Sequence, residues 1–433
     1  MSSEQGGALT LLRDREFAAL SATAFARSQA YSTVLIALAL YADQFGTTGS
    51  VEGLFGTGFA LVQLALVLPL GRTVDTGNAK RYLLAGLVVN VGVFVGFALV
   101  ESATQVILVR VVQGLGASLL WITGSAVVGE ISPDDASGRW LGGYNQVGAF
   151  SSLLGDLVGG YLLYAHGFTL TYAVLSAVTI GAFVMLFVYL RDDPGGRADP
   201  ADATGLETFR GLLALPTVRA LSLFRMAFAV GKMTVIVFLP IFARKEFAIT
   251  AFAIGWILAG GKLTKTLLQG YTGDLTDRVD SRHRLIVAGA LLYGLGTALV
   301  PAALLAEGLV EPITLRVLGG EQTLGGAFLV LFAAYAVIGV ADSLRLPASM
   351  ALFVEEGERL DSVASSMSVR SFSWKVGQVI GPAMAGVIKE FVSTAAAFFA
   401  AAGIVFAATV AFVVMYARFE ATAAESPGAA PGD

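Results

Sequence analysis

Long apolar stretches separated by short polar breaks run through this chain from Phe17 to Tyr416. Each approaches the roughly 20 residues a helix needs to cross a hydrocarbon core about 30 Å thick. Inside such a core every backbone N–H and C=O must be satisfied within the segment, so runs of this length are expected to be helices. The breaks place them at 17–42, 52–71, 82–100, 104–129, 138–164 and 168–190, then at 217–243, 250–272, 285–305, 326–352, 362–388 and 394–417. Soluble helices of this length carry a polar outer face, and most of these segments have none. A polar linker rich in Asp, Gly and Pro, 191–216, separates the two sets, and an Ala/Glu/Pro-rich tail, 419–433, is expected to be disordered. The fold class this predicts is an all-α membrane protein of twelve transmembrane helices. They divide into an N-terminal unit over 1–190 and a C-terminal unit over 217–418, each a six-helix bundle.

Composition sharpens the assignment. Charged residues make up 14% and hydrophobic ones 56%, against about 25% charged in soluble domains. Cysteine is absent, which excludes disulfides and thiolate metal sites, and both histidines, His166 and His283, fall in predicted loops. Neither a metal nor a cofactor is expected. The stretch from Met1 to Phe17 lacks the plan of a cleaved signal peptide, so the first span is expected to act as its own insertion signal. With both termini cytoplasmic, 15 basic residues fall at cytoplasmic ends and only Arg244, Lys245, Arg316 and Lys389 outside. That asymmetry is the positive-inside rule, and an eleven-helix count would destroy it. The expected location is the plasma membrane, the expected state a monomer.

The two sets of six also repeat. Gly71-Arg72-Thr73-Val74-Asp75 follows the second span, and Gly273-Asp274-Leu275-Thr276-Asp277-Arg278 follows the eighth. Gly155-Asp156-Leu157-Val158-Gly159-Gly160 in the fifth has a counterpart in Gly381-Pro382-Ala383-Met384-Ala385-Gly386 of the eleventh. Both pairs lie six helices apart, the spacing duplicated transporter halves produce. Together with Arg110, Gln113 and Gly114 in the fourth span, these residues resemble the major facilitator superfamily over essentially the whole chain. That family carries a G-x-x-x-D-R-x-G-R-[RK] loop after helix 2, a weaker copy after helix 8, and R-x-x-Q-G in helix 4. The first copy departs from the pattern, with Thr76 where Arg is usual. The resemblance implies alternating access by two bundles and a conformational latch at Gly71, Asp75, Gly273, Asp277 and Arg278. The physical expectation is a glycine turn at the helix end and a carboxylate facing a neighbouring helix N-terminus. A solvated loop with basic membrane anchors is the alternative.

Nine basic residues fall inside spans: Arg27, Arg110, Arg225, Lys232, Lys262, Lys265, Arg345, Arg370 and Lys375, with Asp156 and Asp342 the acids placed well within them. A charge at mid-helix costs about 2.5–3.5 kcal/mol, so such side chains are expected to face protein or water and to mark a pathway. They occupy helices 1, 4, 5, 7, 8, 10 and 11 and avoid 3, 6, 9 and 12. The resemblance implies that the former set lines or flanks a cavity and the latter faces lipid. Two readings of the cations stand. They bind an anionic solute, through Arg27, Arg225, Lys232, Lys262, Lys265, Arg345, Arg370 and Lys375, or they pair with acids and waters to hold the halves together. Asp342 and Arg345, three apart, are placed to pair on one helix. Asp156 stands where drug-efflux members of the family carry proline, and an acid in a glycine-lined span is a candidate for carrying a coupling proton. Arg110, through the resemblance, and Asp342 join it as coupling candidates, against a packing or ion-pair role for each.

Enzymatic chemistry finds no support. Gly260-Gly261-Lys262-Leu263-Thr264 lacks phosphate-loop spacing, and neither H-E-x-x-H nor G-x-S-x-G occurs. No basic domain suggests nucleic-acid binding. The expectation is a secondary transporter of a small solute, anionic and proton-coupled. Multidrug efflux is the alternative, or a lipid-moving or sensor protein on the same fold.

Overall fold

The computed structural model describes residues 8–133, 136–194, 206–279, 281–317, 320–358 and 363–424. Helices dominate it: α1 (Arg15–Gln44), α2 (Gly49–Thr76), α3 (Ala79–Ala98) and α4 (Ala103–Ile131) follow in order. A helical run Ser137–Tyr189 is broken at Gly167, whose φ of 71° and ψ of −167° suit a residue without Cβ, giving α5 (137–166) and α6 (168–189). Then come α7 (Pro216–Phe247), α8 (Ala251–Arg278), α9 (Arg282–Leu299), α10 (Gly326–Glu358), α11 (Val363–Phe391) and α12 (Thr394–Ala424). Local signals set several ends. The Asp14 carboxylate accepts from the N–H groups of Glu16 and Phe17 at 3.0 and 2.9 Å, Asn78 caps α3, and Pro216 opens α7 where no N–H is needed.

Eight of the described helices, counting 137–189 as one, are long and apolar enough to cross a membrane. The long helices outside that set are α1, α8 and α11, which carry Arg27, Lys262 and Lys265, and Arg370 and Lys375. The charges that lower their hydropathy are the same ones the sequence marks as functional.

The two sets of helices are joined in parallel ways. Tyr41 of α1 donates to the Phe97 carbonyl of α3 at 2.6 Å and stacks on Phe168 of α6 at 4.2 Å. Correspondingly, Phe228 of α7 meets Tyr293 of α9 at 4.7 Å, and Phe224 meets Phe412 of α12 at 5.1 Å. Gly155 brings α5 so close to α1 that a Cβ there would lie 2.5 Å from the Gln29 carbonyl; Gly381 does the same for α11 against Val230 of α7 at 2.5 Å. Small residues permit this approach, as membrane helix packing favours.

The structure differs from the sequence reading in four places. The loop motifs are helical: Gly71 to Asp75 lie inside α2, and Gly273 to Arg278 inside α8. The expected glycine turn is therefore absent at both; α2 ends instead at Gly77, two residues past Asp75. A helix Leu206–Ala214 occupies part of the linker, and α12 continues to Ala424, past the expected start of the tail. Its Phe-Glu-Ala-Thr-Ala-Ala extension is rich in good helix formers. A hairpin, β1 (Ile313–Val317) with β2 (Gly320–Leu324), joins α9 to α10 with Ile313 opposite Leu324. The linker begins firmly anchored, Arg191 pairing with Glu16 and Lys80 with Asp192 at 2.9 Å.

Candidate transport site

The buried charges form separate groups. Near the middle of its helix, Lys262 of α8 reaches across to the first set of helices. Its Nζ lies 2.6 Å from Asp156 Oδ2 and donates to the Ser32 and Ser152 hydroxyls, each at 2.8 Å. Asp156 is fully buried and its Oδ1 meets no donor among the described residues. Lys375 of α11 similarly crosses to Gln63 of α2, and also donates to Gln378 at 3.2 Å. Arg27 of α1 stands within electrostatic reach of Lys375 and lies over the Trp121 ring at 4.3 Å. Its Nε and Nη1 have no hydrogen-bond partner among the described residues.

A second group lies in the other set of helices. Asp342 of α10 pairs with Lys232 of α7 and, as the i,i+3 spacing predicts, with Arg345 at 3.2 Å. Arg225 donates through Nε to the Arg370 carbonyl at 2.8 Å and lies over Trp374 at 5.1 Å. Arg345 lies over Phe228 at 3.8 Å. Lys265 adds a further positive charge near Lys232 and Asp342. Two lysines, Lys232 and Lys262, thus have carboxylate partners. Arg27, Arg225, Arg370 and Lys375 have none among the described residues.

The three coupling candidates do not pair with one another among the described residues, though Asp156 and Asp342 both stand within electrostatic reach of Tyr335. Arg110, only 1% exposed, donates to the Phe55 carbonyl at 2.8 Å and to Gln113 at 2.6 Å, and lies over Phe59 at 4.3 Å. It ties α4 to α2, while Gly114 lets α4 approach the Phe59 carbonyl. Arg278 pairs within its own helix with Asp274 at 3.0 Å. The side chains of Asp75 and Asp277 lie outside the described residues.

One acid escaped the sequence reading. Glu52, at the start of α2, is fully buried and takes Lys245 of α7 at 2.9 Å and Lys389 of α11 at 2.5 Å. Beside it Arg244 pairs with Asp43 at 2.8 Å, and the Ser50 N–H donates to Glu390 at 2.8 Å. Glu52 was visible as the lone acid of an apolar helix start, opposed by basic residues that break the inside bias.

Glycines close the same end. A Cβ on Gly160 of α5 would lie 2.8 Å from the Ala251 carbonyl of α8, and one on Gly53 of α2 would lie 2.5 Å from the Pro382 carbonyl of α11.

Comparison with known proteins decides the family. The Major Facilitator Superfamily pattern matches residues 20–230 and again 221–432, once for each set of helices. The chain belongs to the Major Facilitator Superfamily. Among superfamily relatives, the human MFS-type transporter SLC18B1 is 24% identical over 364 residues, 81% of this chain and 74% of its own. The multidrug resistance protein MdtG of Rahnella sp. is 25% identical over 399 residues, 88% of each. In structure, the chain resembles a bacterial homolog of the human lysosomal transporter Spinster, in an inward-facing and unoccupied conformation, with a TM-score of 0.71 at 17% identity over 96% of both chains. As a superfamily member it is a membrane transporter and not an enzyme.

Proposed function

We propose that this superfamily member is a secondary transporter that moves a small anionic solute across the plasma membrane, coupled to protons, by alternating access of two six-helix bundles. The observation that carries the anion reading is the excess of buried cations over acids: Arg27, Arg225, Arg370 and Lys375 lack carboxylate partners among the described residues. Removing an ion from water without a partner costs several kcal/mol, so an anion entering here recovers energy that the empty site lacks. The paired lysines shift the weight of the site from Lys232 and Lys262 to the arginines and Lys375.

Twelve long helices among the described residues, the parallel joints in each set, and the double family match support twelve spans in two bundles. Asp156 is the proposed proton carrier. It is buried, and its partner Lys262 belongs to the opposite bundle. Protonating the carboxylate would release that lysine and loosen one tie between bundles. The pairs of Glu52 and Asp43 act as the outer gate, on the side of the site away from the cytoplasm. The loop-motif residues Asp75 and Asp277 act as the inner latch. Arg110 supports the outer half of α2 rather than moving a proton itself.

The test is uptake into vesicles with and without a pH gradient, using a panel of anions, cations and drugs. Gradient-dependent accumulation of an anion supports the reading; transport of cations or neutral drugs alone rejects it. The second reading, multidrug efflux, draws on the kinship with MdtG. It predicts export of several unrelated apolar compounds with little effect from removing Arg225 or Arg370.

A further inference from the structure

We infer that Arg225, Arg345 and Arg370 together form a pocket for the dianionic head of a phosphate monoester, an inference that deepens the anion reading and rests on it.

Three helices, α7, α10 and α11, each contribute one arginine. Each pair among the three is close enough for the positive charges to repel. Arg225 and Arg345 are only 7% and 2% exposed. The flat faces of these two are covered, by Trp374 and Phe228. Their edges are not fully used. Arg225 Nη1, Arg345 Nε and Arg370 Nε are buried donors without an acceptor among the described residues. Near Arg345 stand Lys232 of α7 and Tyr293 of α9, with Lys265 of α8 next to Lys232. The facing acid among the described residues is Asp342, which Lys232 already shares with Arg345.

Three idle N–H groups on three mutually repelling guanidiniums call for a ligand with at least three acceptor oxygens and more than one negative charge. A monocarboxylate offers two oxygens and one charge. A phosphate monoester offers three oxygens and about 1.5–2 charges at neutral pH, with a second pKa of about 6. Guanidinium forks match phosphate oxygens in geometry as well as charge. The aromatic faces of Trp374 and Phe228 hold the arginines in place without consuming those edges.

Binding to the purified full-length chain in nanodiscs, by calorimetry, tests this with butyl phosphate, butyrate and dodecyl phosphate. Butyl phosphate is expected to bind about tenfold or more tighter than butyrate, a difference of about 1.4 kcal/mol. The margin should shrink between about pH 8 and about pH 5, as the phosphate loses its second charge. Arg370→Gln and Arg225→Gln should each weaken butyl phosphate about tenfold or more, with Arg370→Lys intermediate. The lysine variant keeps the charge and serves if a glutamine variant fails to fold. Binding of dodecyl but not butyl phosphate would keep the pocket and assign it to a lipid head group. Equal affinity for butyrate, or indifference to Arg370→Gln and Arg370→Lys, overturns the phosphate assignment while leaving the anion reading intact. Silence with all three probes overturns both.

Discussion

Asp156 and Lys262 illustrate how a single residue's worth depends on its partner. Each would be costly alone in the membrane, and the 2.6 Å contact between them offsets that cost. Asp156→Ala should therefore destabilise the protein by about 3–5 kcal/mol, because it strands Lys262. The double variant with Lys262→Met should recover most of that loss, as thermal unfolding in detergent would register. Asp156→Asn keeps the shape and removes the charge. It should abolish uptake driven by a pH gradient and leave solute exchange intact; concentrative transport at the normal rate would remove Asp156 from the coupling step. The identities of these residues were legible, since a charge in an apolar run is conspicuous. Their pairing was legible only for Asp342 and Arg345, which lie on one helix. Partners such as Lys262 and Asp156 come from helices far apart in sequence, and no local spacing encodes them.

At the scale of elements, apolar runs located nearly every helix, because burial of the backbone in lipid leaves few alternatives. Ends were less legible. The loop motifs turned out helical because Gly71 and Gly273 tolerate helix geometry as well as a turn. The β1–β2 hairpin carries no apolar run of membrane length and so went unread. Helix contacts at the end that carries Glu52 yield two predictions. Gly160→Leu should clash with the Ala251 carbonyl and cost about 1–3 kcal/mol through overpacking, measured as a lower unfolding temperature. Glu52→Gln should weaken its bonds to Lys245 and Lys389 and open the outer end more often. The absence of cysteine makes that measurable with a single Thr57→Cys reporter, at a half-buried α2 position whose hydroxyl donates to the Val379 carbonyl of α11 at 3.1 Å. A membrane-impermeant maleimide applied outside should label it several-fold faster in the Glu52→Gln background, and equal rates would remove Glu52 from the gate.

The whole molecule combines two similar halves with unequal charge. Both use the same helix joints, yet the tight arginine group belongs to the second half, and the first contributes Arg27 and the acid that meets Lys262. That asymmetry fits a cargo gripped mainly by one bundle and released when the other rocks away. The repeat was legible in the sequence because the packing glycines Gly155 and Gly381 occupy matching places in the two halves, whereas most of the buried cations fall in the second. The most direct measurement is proton movement in vesicles holding a pH-sensitive dye, on adding an organic phosphate, a carboxylate, a cationic drug or a neutral sugar. An anion-evoked pH change, present in the native chain and lost in both Arg225→Gln and Asp156→Asn, is the predicted result. A response to the cationic drug or the sugar alone, unchanged in those variants, would contradict the account.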